Sequence, residues 1–199
     1  DEDPRRHREG IYFKHTKNIE GLAIEIIGLD TRYFRSPLQG KKNAYVQNKD
    51  SEATILGQDQ WLWLEKSIRN SSAEIIIILS SIQILATNHP YEKWDNFPLE
   101  RERLLKLLGH TAKNKTLIAI SGDRHRSGIY QNEDFIEITA SSLNKTASQN
   151  IETDPLLLGQ TYPIKNYGTL DIEPNKNIIT VSIFDQYGTK LNSKIINIY

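Results

Sequence analysis

Apolar residues in this chain come in short blocks, and the spacing inside each block predicts its conformation. Leu22 to Asp30 is apolar almost throughout, as are Ile75 to Leu79 (extended by Ile82 and Ile84) and Thr116 to Ser121. Continuous runs of that length suit strands of a sheet covered on both faces. Gly10 to Lys14 is expected to pair with Leu22 to Asp30 as a hairpin, and Glu74 to Ser80 forms the next buried strand. Between the strands the period changes. Gly57 to Asn70 predicts a helix whose apolar face is Trp61, Leu62, Leu64 and Ile68 with Trp63 beside them. Pro98 suits the first turn of a second helix through Leu108, ended by Gly109. That helix turns Leu104, Leu105, Leu107 and Leu108 inward, and Glu100, Arg101, Glu102 and Arg103 toward water or loops. Arg35 to Ala53 and Asn88 to Pro98 read as loops, the second dense in His89, Tyr91, Trp94, Asn96 and Phe97. Beyond Gly122 the pattern alternates: Phe135 to Ala140, Gly168 to Glu173, Ile178 to Phe184 and Ile195 to Tyr199 predict an antiparallel sheet, with turns at Pro174-Asn175 and Tyr187-Gly188. Strand–helix units followed by such a sheet argue an α/β sandwich of mixed sheets, with residues 1–199 as a single domain and no internal repeat or linker.

Composition narrows the class. The chain has 199 residues, 38% hydrophobic, and its Ile-rich runs exclude disorder. No apolar run approaches the roughly 20 residues of a spanning helix. The 25 basic and 25 acidic residues cancel, so no global basic field favours nucleic acid. The absence of cysteine excludes a disulfide scaffold, a thiol nucleophile and thiolate zinc sites. Residues 1 to 9 read as a solvated loop. The opening Asp1-Glu2-Asp3-Pro4, in a sequence without Met, is expected of a chain that begins mid-protein.

The sharpest candidate chemistry is Ser121-Gly122-Asp123-Arg124-His125, where a buried strand runs into a turn. Asp and His two residues apart can both point into one cleft. They suit a metal, offering a hard anionic oxygen and a neutral nitrogen. They suit acid–base catalysis as well, with Asp fixing the tautomer of His125 as the catalytic group. A turn Asp capping amides beside a surface His would look the same. His89, on its aromatic loop, can face the same cleft as Asp123 and is a substrate-binding candidate. Asp30-Thr31-Arg32 sits at the carboxyl end of a strand, the edge where layered α/β folds usually hold ligands. No Gly-x-Ser-x-Gly elbow and no Gly-rich loop with Lys-Ser/Thr occurs. His7, His15 and His110 read as surface residues, and Trp61 and Trp63 as core.

Taken in order, the segments Arg5-Arg6-His7-Arg8-Glu9-Gly10-Ile11-Tyr12, Leu29-Asp30-Thr31-Arg32-Tyr33-Phe34-Arg35 and Leu56-Gly57-Gln58-Asp59-Gln60-Trp61-Leu62-Trp63-Leu64 resemble the PhoD-like alkaline phosphatases. So do Ser80-Ser81-Ile82-Gln83, Glu92-Lys93-Trp94-Asp95-Asn96-Phe97-Pro98 with Glu100-Arg101, and Ile120-Ser121-Gly122-Asp123-Arg124-His125. Thr139-Ala140-Ser141-Ser142-Leu143 and Asn166-Tyr167-Gly168 close the series. The resemblance implies a calcineurin-like metallophosphoesterase fold, an αββα sandwich of mixed sheets. It implies hydrolysis of phosphate monoesters or diesters by a metal-activated water, with two or more metal ions (Ca, Fe, Mn or Zn). Asp123 and His125 then inherit the role of metal ligands, and Arg124 that of a phosphate-facing residue. No Gly-Asp-x-x-Asp or Asn-His follows downstream, so this is the family's last metal motif rather than its first. The family's earlier ligands precede the Arg-Arg-x-Arg-Glu-Gly-Ile-Tyr segment. The chain is therefore expected to be the C-terminal half of a catalytic domain, without its N-terminal strands and with a minority of its ligands. The alternative is a non-catalytic remnant or ligand-binding module. By the same resemblance the compartment is periplasmic or extracellular.

Overall fold

The computed structural model describes residues 3–199; of the opening segment, residues 1 and 2 lie outside the described residues. The strands are β1 (Phe13–Ile19), β2 (Leu22–Gly28), β3 (Gln39–Lys41), β4 (Ala44–Val46), β5 (Ile75–Ser80), β6 (Thr116–Ser121), β7 (Ser127–Gln131), β8 (Ile136–Ala140), β9 (Asn166–Glu173), β10 (Ile178–Asp185) and β11 (Lys190–Asn197). Helix α1 spans Gly57–Arg69 and α2 spans Pro98–Ala112. A six-stranded mixed sheet runs β1-β2-β5-β6-β8-β7, and a three-stranded antiparallel sheet runs β11-β10-β9. β2, β5, β6 and β8 are mutually parallel.

The Ile-rich runs are buried for the reason their pattern implies. Along β5, Ile76 and Ile78 face a core with Trp61, Leu64 and Ile68 of α1 and Leu104 and Leu108 of α2. The alternate residues Ile75 and Ile77 face the second sheet through Ile179, Val181 and Ile183. One strand thus feeds two cores, and helices, large sheet and small sheet stack as three layers. This is the expected mixed α/β sandwich.

Several boundaries differ from the pattern. The hairpin's first strand is β1, not Gly10 to Lys14, because the turn is the two-residue Glu20-Gly21, at φ 51° and 92°. Positive φ at both positions is what a tight right-twisted hairpin needs. Arg35 to Ala53 holds the small hairpin β3–β4. Leu62 of α1 is 54% exposed, so the helix buries a narrower stripe than the pattern suggests. α2 runs through Gly109 to Ala112, so Gly109 does not end it; a Cβ there would come within 2.5 Å of Oδ2 of the exposed Asp134 side chain, which can swing away. The strand at Phe135 to Ala140 belongs to the large sheet, parallel to β6, and its antiparallel neighbour β7 carries no visible pattern. Glu100 is buried, not solvated: it accepts from Thr54 Oγ1 at 2.6 Å, from the Ile55 and Leu56 amides, and from Trp61 Nε1. Among the described residues no helix is long and apolar enough to cross a membrane.

Candidate active site

Parallel pairing brings the carboxyl ends of β2, β5, β6 and β8 to one edge. Gly28 pairs with Leu79, Ser80 with Ser121, and Ser121 with Thr139, so the residues that follow form one rim. The rim is cross-linked by short polar contacts. The Thr31 and Ser81 hydroxyls meet, Ser121 Oγ and Thr139 Oγ1 lie 2.8 Å apart, and Gln83 Nε2 donates to Thr139 Oγ1 at 2.9 Å. A Cβ at Gly122 would sit 3.6 Å from the Ser81 carbonyl oxygen, ordinary contact, so packing alone does not demand glycine there.

The loop leaving β6 has unusual backbone. Arg124 N–H donates to Gly122 O at 2.8 Å, closing a three-residue turn with Asp123 at φ 65° at its apex. His125 is left-handed too, at φ 53°. Asp and His tolerate that region better than most residues, yet two such residues separated by one are costly and mark a constrained loop. The constraint comes from the arginines between and after them. Arg124, 5% exposed, pairs with Glu152 and lies 4.6 Å over the Tyr91 ring. Arg126, 2% exposed, donates to the carbonyls of Asn150 at 2.9 Å and Ser148 at 3.2 Å, with Glu152 at 3.5 Å. Two buried guanidiniums thus anchor the loop from below. The Asp123 side chain is 41% exposed, and His125 is half-buried.

His89 lies on the inner side. Its Nδ1 accepts from Tyr91 N–H at 3.2 Å, and its Nε2 is buried with no hydrogen-bond partner among the described residues. Burial, reinforced by the charges of Arg124, Lys93 and Arg126, pushes the His89 pKa down to about 2, so the ring is neutral. Lys93 is buried beside it, donating Nζ to the His89 carbonyl at 2.6 Å, and burial lowers its pKa in turn. The structure therefore separates the four sequence candidates. Asp123 stands exposed on the loop at the rim and His125 is half-buried two residues on, while Arg124 and His89 meet around Tyr91 behind it.

Groups the sequence did not mark as a unit complete the rim. Asp30 is buried and accepts backbone N–H from Ile11, Arg32 and Tyr33, each at 2.9 Å. Burial opposes its ionisation, but these amides outweigh it and hold its pKa below the usual carboxylate value. Arg32 Nη1 donates to both oxygens of Glu92, at 3.1 and 2.8 Å, and its Nη2 stands 3.9 Å from Asp123 Oδ1. That last distance is too long for a hydrogen bond. An Asp oxygen and a His nitrogen fit a hard or borderline metal by type. Among the described residues, however, no group of three or more His, Asp or Glu side chains could hold one, so these residues supply at most part of a coordination shell.

Comparison with known proteins fits this geometry. A family model described as PhoD-like phosphatase matches residues 5–181. The chain is 26% identical over 110 residues to alkaline phosphatase D of Bacillus subtilis (strain 168), covering 50% of this chain and 19% of that protein. Its structure superposes on that of PhoD with a TM-score of 0.67 at 17% identity, covering 94% of this chain and 41% of the other. GAP50, the anchor in the inner membrane complex of Plasmodium, also gives 0.67, at 15% identity and 95% and 54% coverage. A purple acid phosphatase from yellow lupin seeds gives 0.54, at 14% identity and 93% and 32% coverage. At these identities the structural likenesses show the fold, that of the metallophosphoesterases. The chain spans about a fifth of the curated relative it matches and under half of the PhoD structure.

Proposed function

We propose, from the premise that the chain belongs to the PhoD-like phosphatase family, that its rim loop is part of a metal-dependent centre hydrolysing phosphate monoesters or diesters. On this reading the chain is the C-terminal half of a catalytic domain. One observation carries the assignment. The backbone of 122–126, with positive φ at Asp123 and His125, is anchored by the buried Arg124 and Arg126 and leaves the Asp123 carboxylate exposed where β6 ends, which supports the reading.

Asp123 and His125 would hold a metal ion together with donors from outside this set, and the ion could be Ca, Fe, Mn or Zn. When bound, such an ion supplies Lewis acidity toward a phosphoryl oxygen and lowers the pKa of water. The chain's own residues do the rest. Asp123 and His125 enter the site on a fixed backbone, and His125, half-exposed, can hold or pass a proton at its ring nitrogen. Arg124 and His89 stand behind the loop and serve the substrate through the loop they brace. The family relation favours a small phosphate-ester substrate and, by custom of the family, an exported protein.

Asp123→Asn in the full-length protein tests the reading: hydrolysis of a phosphate ester disappears while the melting temperature in chelator is unchanged. Retained hydrolysis would sink the ligand assignment. That no group of three or more His, Asp or Glu side chains among the described residues could hold a metal favours a second reading, a ligand-binding module without catalysis. It requires full-length protein that is inert toward phosphate esters and whose melting is indifferent to chelator, since metal bound to the native state must stabilise it.

A further inference from the structure

We infer that Arg32 is a substrate-binding residue of this centre, a guanidinium that grips the phosphate oxygens, and that Glu92 is the residue that positions it. The inference rests on the phosphoesterase reading and adds to it a specific contact with the substrate.

Arg32 is held at both ends of its reach. Its backbone is fixed by the Asp30 carboxylate, which accepts its N–H at 2.9 Å, and Asp30 is itself clamped by Gln60, whose Oε1 accepts from Asp30 N–H and whose Nε2 donates to Asp30 O, each at 2.8 Å. At the far end, both carboxylate oxygens of Glu92 accept from the same guanidinium nitrogen, Nη1. Glu92 is shared with Arg35, whose Nε lies 3.2 Å from its Oε1. One buried carboxylate therefore faces two guanidiniums, with the carboxylates of Asp30 and Asp123 on the other side of Arg32. The Glu92 side chain is 9% exposed, whereas that of Arg32 is 54% exposed.

What remains free is the side that matters. Nη2 stands 3.9 Å from Asp123 Oδ1, close enough for attraction and too far for a bond, so its N–H groups are uncommitted on the face that Asp123 shares. A phosphate oxygen lodged beside Asp123 falls within reach of Nη2. A planar fork that is always charged and already held in place loses little freedom on gripping an oxyanion, which is why arginine outperforms lysine at such positions.

The test uses the full-length protein and inorganic phosphate as the probe, with binding read by titration calorimetry alongside steady-state hydrolysis of a phosphate ester. Arg32→Ala is expected to weaken phosphate binding about 10- to 100-fold and to lower kcat/KM by at least as much. Arg32→Lys, which keeps the charge without the fork, is expected to leave the melting temperature unchanged yet bind phosphate about 10-fold more weakly than wild type. Glu92→Gln should raise KM more than it lowers kcat, as expected of a group that orients rather than touches the substrate. If wild type hydrolyses the ester and Arg32→Ala binds phosphate within twofold of it, the inference is overturned while the phosphoesterase reading stands. If Arg32→Ala fails to fold, Arg32→Lys decides, and wild-type phosphate affinity in that variant overturns the inference. A wild-type protein that neither hydrolyses the ester nor binds phosphate overturns both.

Discussion

His89 makes the stability of this fold depend on pH in a calculable way. In the folded chain its ring stays neutral, because burial and the neighbouring charges of Arg124, Lys93 and Arg126 push its pKa from 6.5 to about 2. In the unfolded chain the same ring takes up a proton below 6.5. Between those limits the unfolded state binds one more proton, so stability is fully present above pH 6.5 and drains as pH falls. Each pH unit in that window is about 1.4 kcal/mol, and allowing for partial titration near 6.5 the loss from pH 7 to pH 5 is about 2 kcal/mol. For a domain of this size that corresponds to roughly 4–8 °C in melting temperature. Glu137 works the other way. Its buried carboxyl is pushed above its ordinary value, chiefly by desolvation, so it releases its proton at higher pH folded than unfolded and its contribution to stability falls as pH rises. The comparison that isolates His89 is therefore with His89→Asn, whose Oδ1 can take the place of Nδ1 in accepting from Tyr91 N–H. The variant carries a constant penalty for the missing ring, but its stability should drop about 2 kcal/mol less than that of wild type between pH 7 and pH 5. Urea unfolding at both pH values measures this directly. Parallel losses in the two proteins would refute the argument, because they would mean that the folded state protonates His89 as readily as the unfolded one.

Glu100→Ala strips one acceptor from four donors, three of them on the buried residues Ile55, Leu56 and Trp61, and should cost about 3 kcal/mol in a denaturant titration. Glu152→Gln leaves Arg124 and Arg126 as buried charges without their carboxylate; a loss of about 3 kcal/mol is expected, with faster amide exchange along 122–126 by mass spectrometry. Gly28→Ala places a Cβ 2.3 Å from the Phe13 ring on the facing strand, which must swing aside. A cost of about 1 kcal/mol is expected, and it should vanish in a Phe13→Ala background, which a double-mutant cycle of thermal melts reads out.

The parts of this fold legible in the sequence are those where one physical cause dominates. β5 and β6 are covered on both faces, so aliphatic residues fill them between their polar ends, and the run of isoleucines shows it. β7 hides because only Ile129 and Tyr130 are large and apolar, while its small residue Ser127 is covered by a bridge to Tyr162. β1 hides because it is an edge strand with mostly exposed side chains. Glu100 looks like a solvent-facing helix residue by period and is buried because a loop more than forty residues earlier wraps over it. The rim behaves alike. The pairing of Asp123 with His125 is a matter of local spacing and can be read directly. Which side chains face outward is not, because the burial of Arg124 depends on Glu152, 28 residues downstream. The clamp of Glu92 on Arg32 spans 60 residues, and no local pattern announces it.

From Asp123 to Arg126 exposure alternates: the acid is exposed, Arg124 buried, the imidazole half-buried and Arg126 buried. That alternation makes the segment intolerant of any change in length. One residue gained or lost between Gly122 and Ser127 would hand the outward places to guanidiniums and send a carboxylate or an imidazole down into the seats around Glu152, exchanging the sign of charge on both sides at once. Substitution can adjust such a loop gradually, but insertion cannot. Natural variation in length at this rim should therefore gather in the stretches that flank the turn, above all after β8, while the spacing from Ser121 to Ser127 stays frozen in any relative that keeps the same anchors.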